Sequence, residues 1–270
     1  MFALYVFVFA LIVTITAKKQ GFYKLPTLTH IIPIRLSCCF VVVVLYATTF
    51  ALFTAWFFAK ISTLFPAMHT LQVFFHIVTG SAWLGAGCIM LYVRLFLPHG
   101  TLRLLFYSPR PLQTLTIGIL AWFLIFPFVL LISDGASYLL HDVWHFPIYD
   151  QIAVRSMKMA LHAPSSTIEM FSLIVVLGPL IEEFFFRGLV QNFCKRYLSR
   201  NKAILLSAFI FTLFHYSSEQ HIDNLTLSLA LFPLGCFLGF LYEREKSLLA
   251  PCALHVVFNL GTTLQLLWFS

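Results

Sequence analysis

The chain has 270 residues, is 60% hydrophobic and only 10% charged, and has a mean hydropathy of +0.92 with a formal net charge of +7. A soluble domain carries roughly 25% charged residues, so this composition excludes a water-soluble globule and describes a polytopic membrane protein. Nucleic acid is not the expected partner, because the positions of the basic residues relative to the apolar runs explain them better.

A bilayer core takes about 20 apolar residues to span. By that criterion the sequence predicts an all-α transmembrane bundle of eight helices, at 2–17, 36–59, 71–93, 112–133, 167–193, 203–220, 222–242 and 247–268. The first run has no basic residue ahead of it, and Lys18 and Lys19 follow it. It therefore reads as an uncleaved span rather than a signal peptide. Lys18, Lys19, Lys24 and Arg35 follow the first span; Arg94, Arg103 and Arg110 the third; Lys195, Arg196, Arg200 and Lys202 the fifth; Arg244 and Lys246 the seventh. The other side carries Lys60, Arg155 and Lys158. The positive-inside bias puts the first set of loops in the cytoplasm and both termini outside. With no eukaryotic sorting signal in the sequence, a bacterial inner membrane is the expected location.

The long outer loop is 134–166, where "SYLLHDVWHFPIYDQ" reads as an interfacial amphipathic segment. His141, Asp142 and His145 have metal-like spacing there, but no third ligand is evident and an interfacial helix fits better. His30, His69, His76, His99, His162 and His221 read as loop or interface residues. Five of the six Cys lie inside apolar runs and none forms a CxxC pair, so neither a disulfide framework nor a thiolate metal site is indicated. The chain divides into N-terminal membrane helices at 1–160 and a polar-motif bundle at 165–268.

The fifth span is unusual. Its "GPLIEEFFFRG" puts two carboxylates and a guanidinium among hydrocarbon. A charge at the bilayer centre costs about 2.5–3.5 kcal/mol on insertion scales. Glu183 and Arg187 are four apart, in the favourable order for a helical ion pair. Glu182 points about 100° away from Glu183 and must find its partners on other helices. Pro179 removes a backbone hydrogen bond and should kink the helix beside a cavity, where freed carbonyls can be satisfied again. The sixth span carries Phe211 and His215 at i, i+4, and the eighth carries His255 and Asn259 at i, i+4. Counting about 1.5 Å per residue from the predicted basic ends puts Glu182, His215 and Asn259 at a common depth near the bilayer midplane, with His255 one turn lower.

These three segments, "EEFFFR", "FTLFH" and "HVVFN", match EExxxR, FxxxH and HxxxN in that order. The region 165–265 resembles the CPBP (ABI) intramembrane protease family, which includes the type II CAAX prenyl endopeptidases. The resemblance implies membrane-embedded, glutamate-dependent proteolysis without a covalent enzyme intermediate. It also implies a second class, because some relatives act as immunity or scaffolding proteins. Residues 1–160 carry no matching motif.

The expected chemistry follows from residue type. Peptide hydrolysis needs an activated water and a stabilised oxyanion. A carboxylate in a low-dielectric cavity suits a general base, the role read for Glu182, with His215 holding the same water. Asn259 and His255 supply oxyanion donors. Glu183 and Arg187 are read as structural, and Phe211 as fixing the His215 rotamer. Glu182, His215 and His255 suit zinc by type, yet these roles require no metal and no HExxH helix exists, so no cofactor is expected. The expected partners are the lipid bilayer and a membrane-embedded peptide or protein substrate, CAAX-like or otherwise lipidated among the options. The alternative is a non-enzymatic immunity, scaffold or transport protein that uses the polar layer for binding.

Overall fold

The computed structural model describes residues 2–27, 32–64, 71–161 and 164–269; His30, His69 and His162 lie outside them. The described residues are helical and loop structure without strands. In chain order they form α1 (Phe2–Lys19), α2 (Leu36–Leu64), α3 (Leu71–Phe96), the short α4 (Thr101–Phe106), α5 (Pro111–Ser137), α6 (Ile152–Ala160), α7 (164–194), α8 (Arg200–Leu213), α9 (Asp223–Glu245) and α10 (Leu249–Phe269). Among the described residues five stretches are long and apolar enough to cross a membrane: Leu36–Ile61, Gln72–Phe96, Pro111–Val143, Asp223–Glu245 and Leu249–Trp268. The chain is a multi-pass integral membrane protein with a helical-bundle fold.

Packing follows the sequence order loosely. α2 pairs with α3, while α5 lies against α1, α9 and α10, and α8 lies against α9. α7 threads between these groups and touches α2, α3, α8, α9 and α10. One apolar core gathers Val42, Val93, Leu105, Phe184, Phe186, Leu189 and Phe211 around α7. A second, with Ala121, Ile125, Leu234, Leu238, Leu254 and Phe258, joins α5, α9 and α10. All six cysteines are free.

The basic segments gather at one end of the bundle. Arg196 donates to Ile34 O at 3.0 Å, Arg200 to Pro26 O at 2.6 Å and Arg244 to Phe22 O at 2.9 Å. At the opposite end, His141 Nε2 meets Asp223 Oδ1 at 2.8 Å, the Tyr149 N–H donates to Asp223 Oδ2 at 2.8 Å, and His76 pairs with Glu169.

Two expected boundaries change. The predicted span 203–220 stops at Leu213, so α8 has 14 residues and is about 21 Å long. The polar run after it competes for the backbone: Asn224 Oδ1 accepts from Ser217 N at 3.0 Å, and its Nδ2 donates to Ser217 O at 2.7 Å. His215 therefore sits on the turn beyond the helix, not inside a span. The predicted outer loop at 134–166 is also shorter, because α5 continues into a π-helical turn, Tyr138–Val143, before the chain turns. His145 leaves that helix at φ 58°, which breaks the i, i+4 relation with His141. The amphipathic element is α6, which buries Met157 and Ala160 and turns Arg155 and Lys158 outward.

Candidate active site

α7 is the backbone of the site, and it is not a regular α-helix. It changes to π geometry at Ser172–Leu177 and again at Phe184–Gln191. In the first segment the Gly178 N–H donates five residues back, to Leu173 O. In the same register the next carbonyl, Ile174 O, would be served by residue 179. That residue is proline and has no N–H. Asn259 Nδ2 on α10 reaches across and donates to Ile174 O at 2.9 Å. The "GP" pair thus widens the helix and frees a carbonyl, and that carbonyl orients Asn259. The expected kink is a π turn. The second π segment is served in the same way: Ser207 Oγ donates to Phe186 O at 2.9 Å, and Asn192 Nδ2 reaches Arg187 O at 3.1 Å and Gly188 O at 2.9 Å.

The adjacent carboxylates separate into two environments. Glu183 is fully buried. Its Oε1 accepts from Arg187 NH1 at 2.7 Å and from His255 Nδ1 at 2.8 Å. Arg187, also fully buried, donates through NH2 to Gly235 O at 3.0 Å and lies 4.7 Å over the Phe211 ring. Phe211 in turn packs at 4.6 Å from the His215 ring and 6.0 Å from the His255 ring. The pair Glu183–Arg187 therefore joins α7 to α8, α9 and α10 at one point. Burying such a pair gains little net stability, but breaking it leaves an uncompensated charge in a dry site.

Glu182 is 31% exposed, on the other face of α7. Its Oε2 lies 3.8 Å from His215 Nε2 and 3.7 Å from His255 Nε2. The tautomers follow from the opposite ring nitrogens. His215 Nδ1 is 2.8 Å from Phe211 O, a pure acceptor, so Nδ1 carries a proton. His255 Nδ1 faces the Glu183 carboxylate and carries one too. In the neutral rings both Nε2 atoms are then acceptors aimed at Glu182. Separations of 3.7–3.8 Å are too long for direct hydrogen bonds, so these acceptors leave room for a shared donor between them.

A cavity of about 520 Å³ connects this group with the end of the molecule remote from the basic loops. Glu182, His215, His255 and Asn259 all line it, with Phe211 beside them, so the expected common layer is one continuous site. Its walls are apolar, from Phe126, Val129, Leu227, Leu231 and Phe258. The half of the bundle nearer the basic loops is filled instead. Gln191 Nε2 bonds Glu243 Oε1 at 2.9 Å and Gly239 O at 3.2 Å, Lys195 Nζ lies 2.7 Å from Glu243 Oε1, and Asn192 Nδ2 donates to Tyr242 Oη at 2.7 Å. None of these side chains is more than 5% exposed.

That packed floor is not among the residues expected from sequence. It had a legible signal in "GCFLG", Gly235 and Gly239, a small-xxx-small pair that lets helices approach. A Cβ at 239 would meet Gln191 Oε1 at 2.7 Å, and one at 235 would meet Ala208 Cβ at 3.1 Å.

Residues 164–261 match the family model described as type II CAAX prenyl endopeptidase Rce1-like. The match begins at the first residue of α7 and spans α7 to α10, which is the part of the fold that carries all seven expected site residues. No curated protein and no solved structure matches the chain.

Proposed function

We propose that this chain, whose residues 164–261 match the type II CAAX prenyl endopeptidase Rce1-like model, is an intramembrane endopeptidase in which Glu182 activates the attacking water. The observation that supports this reading is the convergence of Glu182 Oε2, His215 Nε2 and His255 Nε2 within 3.8 Å at the floor of a cavity.

The steps follow from the tautomers. A water held by Glu182 and His215 gives one hydrogen to the carboxylate and one to His215 Nε2. As its oxygen attacks the peptide carbonyl carbon, its proton passes to Glu182, the general base. The carbonyl oxygen becomes the oxyanion. Asn259 keeps one amide hydrogen on Ile174 O, and its second is the oxyanion donor in this reading. His255, whose Nδ1–H is held by Glu183, donates to the oxyanion from Nε2 only if that nitrogen carries a proton as well. The C–N bond then breaks, and Glu182 returns its proton to the leaving amine. Glu183 holds His255 in orientation without touching the reacting atoms.

The reading requires no metal. The substrate is a membrane-associated polypeptide, and CAAX-like or lipidated tails belong to this class. Transport is the weaker reading, because the half of the bundle nearer the basic loops is filled by the packed Gln191–Glu243–Lys195 layer. With the basic loops on the cytoplasmic side, both termini lie outside, in a bacterial inner membrane. Residues 1–160 form the supporting membrane helices.

The test compares membrane proteomes from cells carrying the wild-type chain and Glu182→Gln. Cleaved fragments should appear only with wild type, and intact substrate should accumulate on the variant. Identical fragment patterns would point to the scaffold or immunity reading.

A further inference from the structure

We propose that Asp134 is the specificity-determining group of the cavity and selects polypeptide segments with a Lys or Arg side chain three to four residues from the bond that Glu182 addresses. This rests on the endopeptidase reading above.

Charge along the cavity is one-sided. Its lining holds two carboxylates, Glu182 at the floor and Asp134 toward the mouth, and among the described residues no Lys or Arg lines it. The two basic residues of the neighbouring α6 are already committed: Arg155 NH2 to Glu219 Oε2 at 2.6 Å, and Lys158 Nζ to Asp150 Oδ2 at 2.6 Å. Asp134 itself has no ion pair or hydrogen-bonded side-chain partner among the described residues. It lies within the apolar stretch Pro111–Val143, which reads "ILAWFLIFPFVLLISDG" up to that point. Asp134 stands toward the far end of that stretch and is exposed, so its carboxylate is open to a guest entering the cavity. Ser133, Gln151 and Gln265 line the cavity too and supply polar neighbours for a charged guest.

The helix sets the distance. Phe126, two turns below Asp134 on α5, packs at 5.6 Å against Phe258, which lies between His255 and Asn259. Eight residues of helix cover about 12 Å. An extended peptide rises about 3.3 Å per residue, so a segment whose scissile carbonyl is at Asn259 brings its third or fourth neighbour to Asp134. A basic side chain there meets an opposite charge in a wall of low polarity.

The test uses the full chain in lipid nanodiscs and internally quenched, Leu/Ala-rich peptides that carry one Lys, Gln or Glu at successive positions. Turnover by wild type should favour Lys over Glu by on the order of tenfold in kcat/KM, at the third or fourth position only, through KM rather than kcat. Asp134→Asn should flatten the preference and Asp134→Lys should invert it. Binding of the same labelled peptides to Glu182→Gln protein, read by fluorescence anisotropy, separates the two ideas. A Lys preference in binding that Asp134→Asn abolishes supports the inference even if no peptide is cleaved, an outcome that would count against the endopeptidase reading alone. Equal binding of Lys, Gln and Glu peptides overturns the inference, whether or not the wild type cleaves them.

Discussion

Glu182 and Glu183 are neighbours in sequence and should respond in opposite ways to the same nearly isosteric change. Glu183→Gln removes the negative charge between Arg187 and His255, both almost fully buried. The amide oxygen can still accept from Arg187 NH1, now 2.7 Å away, or from His255 Nδ1, now 2.8 Å away. The amide nitrogen then replaces Glu183 Oε2, which has no hydrogen-bond partner among the described residues, so two new donors are buried unsatisfied. Breaking a buried pair from one side costs about 3–5 kcal/mol, on the order of 10 °C in thermal midpoint. Glu182→Gln should cost far less, because Glu182 is 31% exposed and its nearest imidazole nitrogens stand off by 3.7–3.8 Å. The assay is thermal unfolding by intrinsic fluorescence in one detergent, beside peptide turnover. The expected pattern is stability and activity lost together for Glu183→Gln, and activity alone for Glu182→Gln. The double variant Glu183→Gln with Arg187→Met should recover most of the stability and little of the activity, since His255 still lacks a charged acceptor. A fully stable but inactive Glu183→Gln would refute this division and move Glu183 into the chemistry.

Three further outcomes follow from the geometry. Pro179→Ala restores an N–H that can serve Ile174 O, so Asn259 should lose its anchor; kcat should fall by about 10²–10³ if the oxyanion donor is displaced, KM should hold, and the side-chain amide resonances of Asn259 should shift in selectively ¹⁵N-Asn-labelled protein. Gly239→Ala forces a Cβ to 2.7 Å from Gln191 Oε1 and should cost about 1–3 kcal/mol through overpacking, read as a lower midpoint with the pH profile of the surviving activity unchanged. Turnover by purified protein should survive dialysis against a strong chelator, whereas loss with recovery on zinc addition would reassign Glu182, His215 and His255 as ligands.

Much of the bundle was legible because apolar runs of bilayer length have few alternatives. The positions of α2, α3, α5, α9 and α10 follow from hydropathy alone. The Glu183–Arg187 pair was legible from its i, i+4 spacing, and the need for Glu182 to find partners on other helices from the 100° that separates them. The end of α8 was not legible. Phe211 to Tyr216 continues the apolar pattern, and the feature that stops the helix is a side chain at Asn224, on the next helix. Nor does a 3.6-residue periodicity reveal a π turn. Only Pro179 hinted at irregularity in α7, and the consequence, a carbonyl freed for Asn259, depends on a residue 85 positions away. The pin between His141 and Asp223, 82 residues apart, is hidden for the same reason: hydrogen-bonding side chains on distant segments do not disclose their pairing.

The claim that Glu182 is the base is tested most directly by single-turnover cleavage of one defined membrane peptide by purified wild-type and Glu182→Gln protein, with thermal midpoints measured on the same samples. Wild type should cleave, and Glu182→Gln should be slower by at least the 10²–10⁴ that a general base contributes while its midpoint stays within a few degrees. Cleavage by the variant within a few-fold of wild type, at unchanged midpoint, would contradict the assignment.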